Sequence, residues 1–87
     1  MYTVIFDKNA EKMFRKMDRN IQQIIAKAVR SKLSINPDIH LIPLVGDFSG
    51  LYKFRVGDYR LLCLKEDDVL IITVVKVKHR KEVYETE

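Results

Sequence analysis

The side chains best suited to chemistry gather in one short stretch, KFRVGDYR, residues 53 to 60, where Lys53, Arg55 and Arg60 surround a Gly-Asp pair. Gly57-Asp58 between apolar-alternating flanks reads as a two-residue hairpin loop. Such a loop pairs Val56 with Tyr59, Phe54 with Leu61, and Arg55 with Arg60. Two guanidinium groups then face each other across neighbouring strands, which destabilises a sheet by about 1 to 3 kcal/mol at a separation of about 6 Å and an effective dielectric of about 20 to 50. Lysine and arginine on an open sheet face also blunt aggregation, but that purpose does not require opposed arginines. An anion between the two removes the repulsion and is held by charge-assisted hydrogen bonds. A phosphodiester has the charge and the geometry for it.

Strand side chains alternate between faces, and this sorts the rest of the hairpin. Tyr52, Phe54 and Val56 share a face with Tyr59, Leu61 and Cys63, so this is the core side and Cys63 is expected to be a buried, unreactive thiol. Lys53, Arg55 and Arg60 lie opposite, with Leu62 and Leu64. Along VLIITVVKVK, residues 69 to 78, unbroken alternation groups Leu70, Ile72 and Val74 with Lys76, Lys78 and Arg80. If that parity matches the basic face, up to six cations line one end of the sheet and no carboxylate shares the patch. His79, whose ordinary pKa lies nearest neutral, falls with Val75 and Val77, and His40 sits in an apolar loop stretch.

The elements that must hold these residues are legible in outline. YTVIF, residues 2 to 6, is rich in β-branched and aromatic residues and reads as a strand. Asp7 or Asn9 can cap a helix with apolar positions Ala10, Met13, Phe14 and Met17. Asp18 or Asn20 can cap a second, Asn20 standing at capping-box spacing from Gln23, with the stripe Ile21, Ile24, Ile25, Ala28, Val29 and Leu33. Asn36-Pro37-Asp38 ends it. The stretch IHLIPLVGDFSG then reads as an ordered loop with a short extended piece. Strands at 51–56, 59–65 and 69–78 follow, turning at Gly57-Asp58 and Glu66-Asp67-Asp68, and a short helical tail closes the chain. The order β-α-α-β-β-β(-α) is an α+β fold with a helical hairpin on one face of an antiparallel sheet, a single domain over residues 1–87.

Composition bounds the function. Eighty-seven residues leave room for one small core and one site. The longest apolar run, VLIITVV, is far too short to span a bilayer, and the N-terminal residues show no signal-peptide pattern, so the expected location is cytoplasmic, without membrane association. One cysteine and two histidines make a metal cluster a poor expectation. The net charge of +4 hints at a polyanionic partner, more through the placement of the strand cations than through their number.

The stretch LVGDFSGLYKFRVGDYRLLC, followed by VLIITVVKVKHRKEVY, closely resembles the RelE/ParE toxin superfamily, with its Leu-x-Gly loop, Tyr-x-x-Arg-Val-Gly-x-Tyr-Arg hairpin and terminal His-Arg-Lys-x-x-Tyr segment. In its RelE branch the resemblance implies a ribosome-dependent mRNA endonuclease acting in the A site without metal or cofactor. The reaction is attack by a ribose 2′-OH on the adjacent phosphate, which requires a proton acceptor, cations on the transition state and a proton donor. By position, Lys53 and Arg55 match the branch's basic strand residues, Arg60 its phosphate-binding arginine and Tyr84 its C-terminal tyrosine. Either Arg80 or Lys78 fills the second cationic role. Lys53, Arg55, Lys76, Lys78 and Lys81 form the RNA-binding set, and His79 is a candidate acid or base. A tyrosine of ordinary pKa is only about 0.1% ionised at pH 7, so Tyr84 as base needs those cations; otherwise it stacks on a base or closes the core. Implied partners are the ribosome with its mRNA and a cognate antitoxin. The rival expectation is a ParE-like poison of DNA gyrase, or a degenerate relative that only binds antitoxin or RNA.

Overall fold

The computed structural model describes residues 1–80. β1 (Thr3–Phe6) ends at Asp7, whose carboxylate accepts from the Ala10 N–H at 2.8 Å and so satisfies an orphan donor of α1 (Lys8–Arg15). Asp7 is therefore the cap, not Asn9. α1 buries Ala10 and leans Phe14 on Phe6, ring centroids 5.2 Å apart. α2 (Arg19–Ala28) starts at Asp18 without a side-chain cap, two residues too early for the Asn20/Gln23 capping box. Gln22 instead donates to the Met17 carbonyl at 2.8 Å and ties the two helices together. The last turn, Val29–Leu33, widens to π-helix, closed by the Ser34 N–H on the Val29 carbonyl at 2.9 Å, and it keeps Leu33 in the core. Ile24 departs from the expected stripe. It is 55% exposed.

Proline does not simply end the helical layer. Pro37 opens the single turn α3 (Pro37–His40), where its missing N–H would have had no intrahelical partner in any case; the reading of this stretch as loop is corrected to that extent. β2 (Ile42–Pro43) is the expected short extended piece, and a 3-10 turn, Gly46–Phe48, leads to β3 (Tyr52–Val56), β4 (Tyr59–Glu66) and β5 (Ile71–His79). Gly57 adopts φ 56° at the first position of the β3–β4 turn while Asp58 stays outside the positive-φ region, the pattern of a II′ hairpin. The turn after β4 falls at Asp67–Leu70, because Glu66 still pairs with Ile71.

The sheet order is β1-β5-β4-β3-β2. β1 runs parallel to β5, and the other pairings are antiparallel, so the sheet is mixed at one edge. The helices cover one face: Ile25, Val29 and Leu33 meet Phe54, Leu61, Cys63, Ile72, Val74 and Val77. Each such aliphatic or aromatic side chain contributes about 1.5 to 3 kcal/mol by burial. Cys63 is fully buried, and burial pushes its thiol pKa up to about 12.

Alternation along β5 is broken. Leu62 pairs with Lys76 but Cys63 pairs with Val74, which leaves Val75 as the extra residue of a β-bulge. Ile72 and Val74 therefore belong to the core face, and Lys76 and Lys78 to the opposite one. The grouping of Leu70, Ile72 and Val74 with the lysines is corrected: an added residue reverses parity, and Leu70 lies in the turn with φ 56°.

A polar clasp closes the end of the sheet away from the hairpin. The Lys65 ammonium bonds the Asp67 carboxylate and lies 3.2 Å from Asp38 of α3, and the Tyr2 hydroxyl donates to Asp67 at 2.6 Å. Among the described residues, no helix is long and apolar enough to cross a membrane.

Candidate functional site

On the sheet face away from the core, register sets the cations in two rows. Lys53, Leu62 and Lys76 form one; Arg55, Arg60 and Lys78 form the other. Neighbouring strands lie about 4.8 Å apart, so Arg60 on the middle strand has a cation on either side. The opposed arginine pair read from the hairpin is present in the register. Arg55 and Lys76 are exposed, whereas Arg60, Lys53 and Lys78 are half-buried. The rows share an apolar floor, since Leu62 is only 5% exposed. Partial burial strengthens the field at Arg60, because less water screens it. Such an arrangement attracts and orients a multiply charged oxyanion.

Arg80 stands apart from the rows. Its N–H donates to the Asp58 carbonyl at 2.6 Å, and its guanidinium lies 3.4 Å from the Asp58 carboxylate. A carboxylate thus sits at the end of the patch, contrary to the parity reading. Parity missed it because a turn residue belongs to neither face. The signal was in the register: Tyr59 pairs with His79, which brings Asp58 beside Arg80.

His79 is on the core-side face with Val77, its ring perpendicular to that of Tyr59 at 5.1 Å between centroids. It is not in line with Arg60 and Lys78. Tyr84 and Lys81 lie outside the described residues. No group of three or more His, Cys, Asp or Glu residues among those described could hold a metal ion.

Comparison with known proteins agrees with this architecture. A family model described as the ParE toxin of the type II toxin-antitoxin system parDE matches residues 4–84. A putative RelE-like toxin protein of Escherichia coli is 38% identical over 87 residues, covering 95% of this chain and 90% of that protein. Toxin RelG of Mycobacterium tuberculosis is 29% identical over 83 residues, with 95% of each chain covered. In the crystal structure of the toxin-antitoxin complex RelBE2 from the same organism, one chain superposes with a TM-score of 0.86 at 28% identity, over 93% of either chain. Fold and sequence agree over almost the whole length, and the chain belongs to the RelE/ParE superfamily of toxins from type II toxin-antitoxin systems.

Proposed function

We propose that this toxin is a metal-independent endoribonuclease that cuts mRNA in the ribosomal A site by attack of a ribose 2′-OH on the adjacent phosphate. The observation that carries the reading is the cross-strand row Arg55, Arg60, Lys78, with a cation on each side of Arg60. In the reaction, negative charge builds on the non-bridging oxygens as the 2′-oxygen bonds to phosphorus and the 5′-oxygen departs, leaving a 2′,3′-cyclic phosphate and a 5′-OH. Preorganised cations act most strongly at that moment. Arg60 is assigned to the phosphate, Arg55 and Lys78 flank it, and Lys53, Lys76 and Lys81 track the flanking backbone. Because Lys78 pairs directly with Arg60 in the register while Arg80 lies beyond the rows, Lys78 is the better second cation. Tyr84 is assigned the 2′-OH proton, its phenolate favoured by the same cations. A cognate antitoxin restrains the activity, and the cytoplasm is where such a toxin meets ribosomes.

The test is 5′-end mapping in a translating extract. New 5′-OH ends at codon boundaries are expected. Arg60→Ala should lower the single-turnover rate by about 10²- to 10³-fold and ribosome affinity only a few-fold, since many cations share the diffuse attraction to ribosomal RNA. The matching family model carries the ParE description, which favours gyrase as the rival target. Cleaved DNA trapped on gyrase, with no new RNA ends, would replace the nuclease reading.

A further inference from the structure

The two edges of the sheet differ. At one, β2 is two residues long and ends in Pro43, which has no N–H to offer and blunts the addition of a further strand. At the other, β1 (Thr-Val-Ile-Phe) carries no proline, charge or bulge. The Thr3 N–H donates to the Leu70 carbonyl and the Asp7 N–H to the Val74 carbonyl, both at 2.9 Å. Alternate residues of a strand face the same neighbour, so Thr3, Ile5 and Asp7 direct their main-chain groups to β5. Val4 and Phe6 direct theirs outward, where no described residue meets them. α1 packs mainly on β5 and leaves a groove of about 490 Å³ beside this edge, where Val4, Phe6 and Phe14 are apolar lining and Glu11 and Arg15 stand at the border. On the opposite face of the strand Ile5 is 48% exposed.

We infer that this edge pairs with β1 of a second copy of the chain, antiparallel about a twofold axis through Ile5. The outward groups choose the register. An axis at Ile5 sets Val4 against Phe6 of the second copy and Phe6 against its Val4, and each of these pairs exchanges both N–H···O bonds. An axis at Val4 or at Phe6 leaves one such pair, because Tyr2 is bonded to Ser34 and Lys8 has entered α1. Ile5 then meets its own copy as the non-bonded pair, with Cα atoms about 4.5 Å apart, and its exposed side chain is covered. The interface is isologous, as a twofold requires. Charge favours a copy over a nucleic acid or a charged peptide, since the strand is neutral and Arg15, the cation at the groove, is engaged by Glu11 at 3.3 Å. So short an edge covers less than the about 800 Å² per partner of a standard interface, which sets the dissociation constant at about 10 to 100 μM. Pairing joins two five-stranded sheets edge to edge with both phosphate rows on the same face. The rows lie on β3, β4 and β5 and stay open, so the inference is independent of RNA cleavage.

The experiment is sedimentation velocity on the whole protein from about 1 to 300 μM, with amide exchange at Val4 and Phe6 followed at both ends of that range. The sedimenting mass should climb toward that of a dimer, and both amides should slow by about three- to eightfold at the high end. Ile5→Lys places two ammonium groups together on the axis and should raise the dissociation constant about tenfold or more. Ile5→Cys in a glutathione buffer should give a covalent dimer, because the paired Cα atoms stand within disulfide range. Thr3→Cys should not, since its two copies lie about 14 Å apart in this register. Cys63 is fully buried and stays out of the exchange. Sedimentation and amide exchange are read on the unaltered protein, so the test survives misfolding of a variant. A monomer at every concentration overturns the inference. So does a dimer that is indifferent to Ile5→Lys or cross-links equally through Thr3→Cys, which puts the contact elsewhere. Val4 and Phe6 amides protected to the same degree at both concentrations would assign the edge to a segment of the same chain and overturn it as well.

Discussion

Deleting Val75 should leave the fold intact, and this tests the bulge directly. As the extra residue between Val74, which pairs with Cys63, and Lys76, which pairs with Leu62, it can be removed so that those partners become consecutive in a regular ladder. Ile72, Val74 and Val77 keep the core face and Lys76 and Lys78 keep the other. The loss is part of one half-buried valine, about 1 kcal/mol, against a more regular ladder bond of about 0.5 to 1.5 kcal/mol, so the net change should stay within about 1 to 2 kcal/mol. Unbroken alternation makes the opposite forecast. A deletion would then turn the two lysines toward the helices, at several kcal/mol for each buried charge, enough to unfold a domain of roughly 4 to 13 kcal/mol. Deletion of Val77 is the control. That residue is 2% exposed, and with or without the bulge its loss drives Lys76 or Lys78 into the core. Urea unfolding followed by circular dichroism separates the cases: cooperative unfolding with a midpoint within about 1 to 2 M of wild type for the first deletion, and no folded baseline for the second. An unfolded Val75 deletion, or a folded Val77 deletion, would refute the reasoning.

Cys63 should resist a thiol reagent in native buffer and react at once in urea, since it is fully buried with its pKa raised to about 12; fast native labelling would contradict its place in the core. The hydrogen bond from Lys65, aided by that from Tyr2, lowers the pKa of Asp67. A depressed carboxyl pKa contributes stability that is present above the unfolded value of about 3.9 and lost as pH falls through the folded one. The gap in melting temperature between wild type and Asp67→Asn should therefore be widest near neutral pH and close below about pH 4, and a gap unchanged down to pH 2 would refute the clasp. Tyr84→Phe keeps a ring while deleting the hydroxyl, so the assigned proton transfer requires a large drop in single-turnover cleavage; a normal rate would leave Tyr84 as a stacking or packing residue.

Local sequence by itself determined the elements whose signals are short in range. The periods of α1 and α2 follow from apolar spacing along each helix, and the two-residue turn follows from Gly57-Asp58, whose loop length fixes the register of everything that flanks it. Hence Arg55 opposite Arg60, and Phe54 and Leu61 in the core, could be read from eight residues. Familiar motifs added the superfamily and the arginine at its centre. What only the tertiary structure decided depends on pairing between distant strands. β1 joins β5 in parallel across most of the chain length. The Val75 bulge has no local signature, yet it reverses every side chain after it and delivers Lys76 and Lys78 to the face of Arg60. The same register carries Arg80 to the carboxylate of Asp58. A groove of about 360 Å³ between α2 and the end of β3 at Arg55 depends on how those two elements pack, and neither helix periodicity nor strand parity contains a distance between elements. Sequence thus set the chemistry available to this hairpin, while long-range register and packing selected which cations stand together, since a one-residue shift in pairing costs nothing locally and changes every neighbour.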